Sequence, residues 1–156
     1  MIRWGVVLCA LVLTGCATKL LDDNYAGPTA IVKDTVTNYD EGTWIRPASV
    51  QIYVLSHVDG TYIETASAAT ANATFKSSLG FGLTPKSHER RVPIKPMTIV
   101  LQAIMDYEYP REPIIRARRE LKFHPKAGQV YYVRGRIEPE NSSVWIENAN
   151  GQRVTD

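Results

Sequence analysis

The chain has 156 residues, 44% of them hydrophobic and 22% charged, with 18 basic against 16 acidic side chains and a formal net charge of +2. That is one domain's worth of chain with the composition of a globular protein, long enough to bury most of its unfolded surface without help from metals or disulfides. The charge is uneven: residues 16–84 carry 4 basic and 7 acidic side chains, residues 85–136 carry 12 and 5, and residues 137–156 carry 1 and 4. Any anionic partner is therefore to be sought in the middle section.

The first predicted element is a leader. Arg3 and the amino terminus give a positive start, Trp4 to Thr14 is nearly all apolar, and Gly15 and Cys16 follow. A basic start, a short apolar run and small residues describe a secretory signal; the run is shorter than the roughly 20 apolar residues a bilayer span needs. Leu13-Thr14-Gly15-Cys16 resembles the lipobox of bacterial lipoproteins. The resemblance implies a signal peptide over residues 1–15, cleavage before Cys16, and a lipid on the Cys16 sulfur. Ala17 in place of Asp after the cysteine is similar to the outer-membrane sorting pattern of two-membrane bacteria. That implies an outer-membrane location, facing the periplasm. An ordinary signal with a chance cysteine, or an N-terminal helix, is the alternative. Cys9 and Cys16 are the two cysteines. With Cys9 in the leader and Cys16 acylated, no thiol is left for a disulfide.

Residues 16–28 have no sustained period and end at Gly27-Pro28. They read as a flexible tether with a reach of roughly 35–40 Å when extended, at about 3.3 Å per residue. A single domain over residues 29–156 follows. "TAIVKDTVTN" is β-branched and follows a breaker, and "SVQIYVLSHVDGTYIETA" reads as two strands turning at Asp59-Gly60. Ile52 and Val54 point one way and Tyr53 and Leu55 the other, so that strand can be covered on both faces. "TASAATANATFKSS" fits a helix, a loop or a weak strand. In "MTIVLQAIMDYEYP", Ile99, Leu101, Ala103, Met105, Tyr107 and Tyr109 alternate with Val100, Gln102, Ile104, Asp106 and Glu108. "PIIRARRELKFHP" places Ile115, Ala117, Leu121 and Phe123 on one face and Arg116, Arg118, Glu120 and Lys122 on the other. "QVYYVRGRIEP" is its expected hairpin partner, and "SVWIENANGQRV" closes the series, with turns at Pro125–Gly128, at Glu138–Ser142 and at Asn150-Gly151.

The expected fold is all-β: a β-sandwich, immunoglobulin- or transthyretin-like, of about seven to eight short antiparallel strands, with a β-barrel as the alternative. "LKFHPKAGQVYYVRGRIEPENSSVWIENANGQRV" resembles the C-terminal half of small, mostly uncharacterised bacterial outer-membrane lipoproteins. In those, a Tyr-rich strand leads to a Trp-Ile-Glu strand and an Asn/Asp-Gly turn. "GPTAIV" and "VDGTYI" sit where they carry similar elements. The resemblance implies a fold and a location and brings no catalytic residues.

The candidate chemistry is sparse. His57, His88 and His124 lack the close spacing of metal ligands, although His57 and Asp59 are neighbours. Ser56-His57-Val58-Asp59 contains nucleophile, base and acid, but adjacent strand side chains diverge. Gly80-Phe81-Gly82 reads as a bend or bulge rather than a phosphate loop. Asp106 and Glu108, about 7 Å apart on one strand face, are at a spacing some glycosidases use; solvated acids facing nearby arginines is the simpler reading. No metal or cofactor is implied.

The one lead is the basic section. Arg116 and Arg118 share a face, Arg134 and Arg136 share another on the expected hairpin partner, and Arg111, Arg119, Lys122, Lys126, the "KSHERR" loop (Lys86, Arg90, Arg91) and tyrosines 107, 109, 131 and 132 add to it. Export argues against nucleic acid as the partner. Arg suits the phosphates and carboxylates of an envelope because its planar fork binds them bidentately. The reading is a lipid-anchored, non-enzymatic binding or scaffolding module whose anionic envelope partner meets this face. A periplasmic hydrolase using Asp106/Glu108 or His57/Asp59 is the alternative, and so is a solvated face whose arginines pair with Asp106, Glu108, Glu112 and Glu120.

Overall fold

A computed structural model describes residues 19–78, 82–108 and 111–155. The expected leader over residues 1–15, Cys16, Gly80, Phe81 and Tyr109 lie outside these. Among the described residues the chain forms β1 (Thr29–Lys33), β2 (Thr35–Asp40), β3 (Ser49–Val58), β4 (Thr61–Tyr62), α1 (Ala66–Ser78), β5 (Glu89–Pro93), β6 (Met97–Tyr107), β7 (Ile114–Phe123), β8 (Val130–Arg136) and β9 (Ser143–Asn148). Two sheets pack face to face. One has the order β5-β1-β8-β9; the other runs β2-β3-β6-β7, with β4 beside β3. The protein is an all-β sandwich.

Period two builds the core. On β3 and β6, Tyr53, Leu55, Ile99, Leu101 and Ala103 point between the sheets, where they meet Val32, Val92, Val133, Val144 and Ile146. Removing one such aliphatic side chain from water contributes about 1.5–3 kcal/mol. Val50, Ile52, Val54 and Ile104 form a second cluster on the other side, under Ala66 of α1, with Val36 and Leu83 against it. β3 is therefore covered on both faces, as its sequence implies. The Ala-rich stretch that sequence left open is this covering helix; Thr65 accepts from the Ala68 amide at its start (3.3 Å). Asp59 and Gly60 both have positive φ, the signature of a tight two-residue hairpin turn.

Three features differ from expectation, and each has a local cause. First, "TAIVKDTVTN" is two strands in different sheets, because the chain crosses over at Asp34; with the short β4 and β5 this raises the count to nine. β5 also takes Glu89, Arg90 and Arg91 out of the expected loop. β1 then pairs parallel with β8, Ile31 to Val130 through Lys33 to Tyr132, so the strands are not all antiparallel. Second, β7 and β8 are not hairpin partners: β7 pairs with β6, and β8 with β1 and β9. The turn at Pro125–Gly128 arches across the sandwich, so that Phe123 and Tyr131 both point inward and meet edge to face at 5.1 Å. Third, the β6–β7 register slips between Ala103↔Ala117 and Ile104↔Ile115. Arg116 is the extra residue, and Ile115 leaves the core face and is 53% exposed.

Asp34 pins the crossover. Its carboxylate accepts from the amides of Leu55 (3.0 Å) and Ala66 (2.9 Å), and Arg90 of β5 closes on the same group. Arg90 also donates to the Leu55 carbonyl at 2.9 Å. The two side chains are 0% and 8% exposed. One buried ion pair thus joins both sheets and the start of α1. Burial pushes the Asp34 carboxyl up, against the pull of Arg90 and the two amides.

The segment expected as a free tether is not slack throughout. Leu20 packs against the inter-sheet core, Lys19 pairs with Asp23 at 2.7 Å, and the Tyr25 amide donates to the Asp22 carbonyl at 3.0 Å.

Candidate functional site

The crossover also shapes an open polar surface. β1 leaves the four-stranded sheet at Asp34, so β8 beyond Tyr132 loses its neighbour on that side. The Thr35 hydroxyl donates to the Val133 carbonyl at the point of departure. Past it lies an open groove of about 430 Å³ lined by Thr37, Asn38, Gln51, Tyr53 and the run Arg134–Glu138. Gly135 lets the Tyr53 ring lie against β8, since a Cβ there would run into that ring. The Tyr53 hydroxyl donates to Gln51 at 2.9 Å, and the Asn38 amide donates to the same oxygen at 2.8 Å. Partial burial raises the Tyr53 phenol above its ordinary pKa, so it remains a donor.

The groove opens onto the outer face of the four-stranded sheet. Tyr131 and Val133 are buried, so Tyr132, Arg134 and Arg136 face outward. On β9, Trp145 stands opposite Arg134 and Glu147 opposite Tyr132. The Arg134 guanidinium sits 5.2 Å from the Tyr132 ring centre and 3.8 Å from Glu147. Arg153 lies 3.8 Å over the Trp145 ring, whose Nε1 donates to Glu147 at 2.7 Å. Arg136 stands 3.4 Å from Glu138 with its side chain 61% exposed. Lys33, paired with Glu89 at 2.8 Å, and Arg91 extend the face across β1 and β5. The arrangement offers stacked, oriented guanidinium groups to planar or anionic groups.

The expected four-arginine face does not exist as one surface. Arg116 and Arg118 are exposed on β7, at the edge of the other sheet, while Arg134 and Arg136 belong to β8. Stacked sheets lie about 10 Å apart before their side chains are counted, so the outer faces look in opposite directions.

The acids named as catalytic candidates hold loops and turns. Asp106 is 4% exposed. Its carboxylate accepts from the Tyr107 amide at 2.9 Å and faces the Ser67 hydroxyl at 3.4 Å, beside a pocket of about 180 Å³ that also touches Phe75, Leu83 and Arg111. Burial raises its pKa. Glu108 is lowered by the amides of Gly82 (2.7 Å) and Ala48 (3.2 Å), which clamp it to two loops. Asp106 is therefore not a solvated acid, and the partners of both acids are amides and a hydroxyl rather than arginines. Asp59 accepts from the Thr98 amide at 2.9 Å and pairs with Lys95 at 3.2 Å.

Ser56 and His57 do meet, at 3.0 Å, against the expected divergence, because the β3–β6 register shifts there. Ser56 is nonetheless fully buried, with its hydroxyl on the Val100 carbonyl at 3.2 Å. Among the described residues no cluster of three or more His, Cys, Asp or Glu is placed to hold a metal.

Sequence reasoning passed over the Trp145–Arg153 stack and the β2–β3 hairpin tip. There Trp44 is 95% and Ile45 73% exposed on a turn closed by Thr43 and Arg46. The signal was available: two apolar residues within "DEGTWIRP". No family model matches the chain, and neither a curated protein nor a solved structure matches it.

Proposed function

We propose that this is a lipid-anchored protein of the bacterial outer membrane, held through an acylated Cys16 and facing the periplasm. Its sandwich is a non-enzymatic binding or scaffolding module, and its partner is an anionic group of the envelope, a phosphate or a carboxylate. The contact surface is the outer face of the four-stranded sheet, with Arg134 and Arg136 at the mouth of the groove and Arg153 on Trp145. The observation that supports this reading most directly is Arg136, half-free at the groove mouth beside a row of Arg–aromatic stacks. The anchor rests on Leu13-Thr14-Gly15-Cys16 behind an apolar run.

A photo-crosslinking residue placed at Arg136, and separately at Arg118, tests the surface in intact cells. The reading expects a discrete partner adduct from position 136 and none from 118. Equal or reversed capture overturns the face. Cys16→Ala should release the protein from membranes, and retention there overturns the anchor.

A further inference from the structure

If Cys16 carries the lipid, the leash is short. The full stretch to Pro28 would let the domain drift tens of ångströms from the bilayer, but the chain is already fastened at Leu20. Leu20 packs on the inter-sheet core. The Lys19–Asp23 ion pair and the Asp22–Tyr25 turn fold residues 19–25 upon themselves. Residues 19–23 lie across the body at Ile63, Glu64, His88, Arg90 and Arg91, enclosing about 320 Å³ of space against it. From Cys16 to Leu20 there are four residue steps, which span at most about 14 Å whatever path the chain takes.

We infer that the docked strap, residues 19–23, holds the sandwich directly against the bilayer by the side where β5 and the β4–α1 connection meet. This rests on the lipid-anchor reading above and adds to it a distance and an orientation. The occupant of this side is the headgroup layer, on the ground of chain length alone. The strap side carries Lys19, His88, Arg90 and Arg91, but also Asp22, Asp23 and Glu64, so charge does not hold it there, and the contact is expected to survive high salt. Of the residues under the strap, Arg91 is level with Ile31 and Val130, and His88 with Asp34, one step past the Lys33–Tyr132 pair. Arg136 therefore lies about three to six residues, roughly 10–20 Å at about 3.3 Å per residue, further along β8 and two strands over from β5. That leaves it beside the strap rather than beneath it and open to a partner.

The test uses the acylated full-length protein in vesicles with a headgroup-bound quencher. After acylation the mature chain has no free thiol, so a single cysteine accepts a fluorophore at Glu64→Cys, beside the strap, or at Glu140→Cys, in the β8–β9 turn. Quenching several-fold stronger at 64 than at 140, unchanged at high salt, is the expected result. A Gly/Ser insertion after Thr18, or Leu20→Asn to undock the strap, should bring the two values together. Equal quenching in the parent protein overturns the inference while leaving the anchor intact. Quenching strongest at 140, or of Trp44 above the label at 64, assigns the bilayer to the other end and also overturns it. Intact mass reports the acyl chains separately: an unacylated Cys16 brings down the anchor and this inference together.

Discussion

The two outer faces of the sandwich are built to opposite specifications. On the five-stranded sheet, Val50, Ile52, Val54 and Ile104 would be bare, and α1 is folded over them. On the four-stranded sheet the outward positions are Tyr132, Arg134, Arg136, Trp145 and Glu147, and nothing among the described residues is laid over them as α1 is over the other sheet. Both follow from period two. β3 is apolar at both parities and demands two covers, whereas β8 is apolar at one parity only. A face that needs no cover for stability is free for contact. Here the free face carries two Arg–aromatic stacks, Arg134 on Tyr132 and Arg153 on Trp145, with a third, Arg111 on Tyr107, at the end of β6 in the other sheet.

The largest effect should come from the pin that joins the two halves. Asp34→Ala leaves Arg90 buried beside an empty partner and should cost about 3–5 kcal/mol in urea unfolding. Asp34→Leu with Arg90→Met should recover only part of it, since the apolar pair carries no stranded charge but leaves the Leu55 and Ala66 amides without their acceptor. Next, Ile52→Ala opens a cavity under α1 and should cost about 2–5 kcal/mol. A loss below that range would mean that the helix is a loose cover. On the bare face the scale drops: a double-mutant cycle on Arg153 and Trp145 should give a coupling of about 0.5–1 kcal/mol. A coupling as large as the Ile52 loss would mean that this face is structural rather than free.

The smallest effect shows as a slope in weak acid. Burial raises the Asp106 carboxyl, so the folded protein holds that proton more tightly than the unfolded chain. Stability then falls as pH rises from the ordinary carboxylate value through the raised folded one, and the full penalty stands above it. Asp106→Asn should flatten that part of the stability–pH curve while Asp34 contributes equally to both proteins. An unchanged slope would mean that Asp106 stays ionised under α1.

The double covering of β3 and the alternation of β6 were legible because strict period two needs no knowledge of neighbours. α1 was not, since Ala, Ser and Thr mark neither face strongly. The split at Asp34 was hidden because apolar alternation continues through Val32 and Val36, although Val32 packs between the sheets and Val36 under α1, and a buried acid looks like any polar position until its partners are seen. Pro125-Lys126-Ala127-Gly128 reads alike as a hairpin or as an arch across the sandwich, and that ambiguity misplaced half of the arginine face. Arg134 and Arg136 were correctly paired because they share one strand; Arg116 and Arg118 were joined to them only through the hairpin that does not form.

The crossover strand has a consequence for how the molecule is made. Thr35 meets Val133 across 98 residues of sequence, and β1 pairs with β8 over a similar span. A chain emerging with its amino end first presents this strand while its partner is still far behind, and closure must wait for the last fifth of the polypeptide. Such distant pairing makes for slow assembly and a long interval with apolar edges open. The protein should fold only once its whole length is released, with early truncations left as sticky fragments rather than small domains.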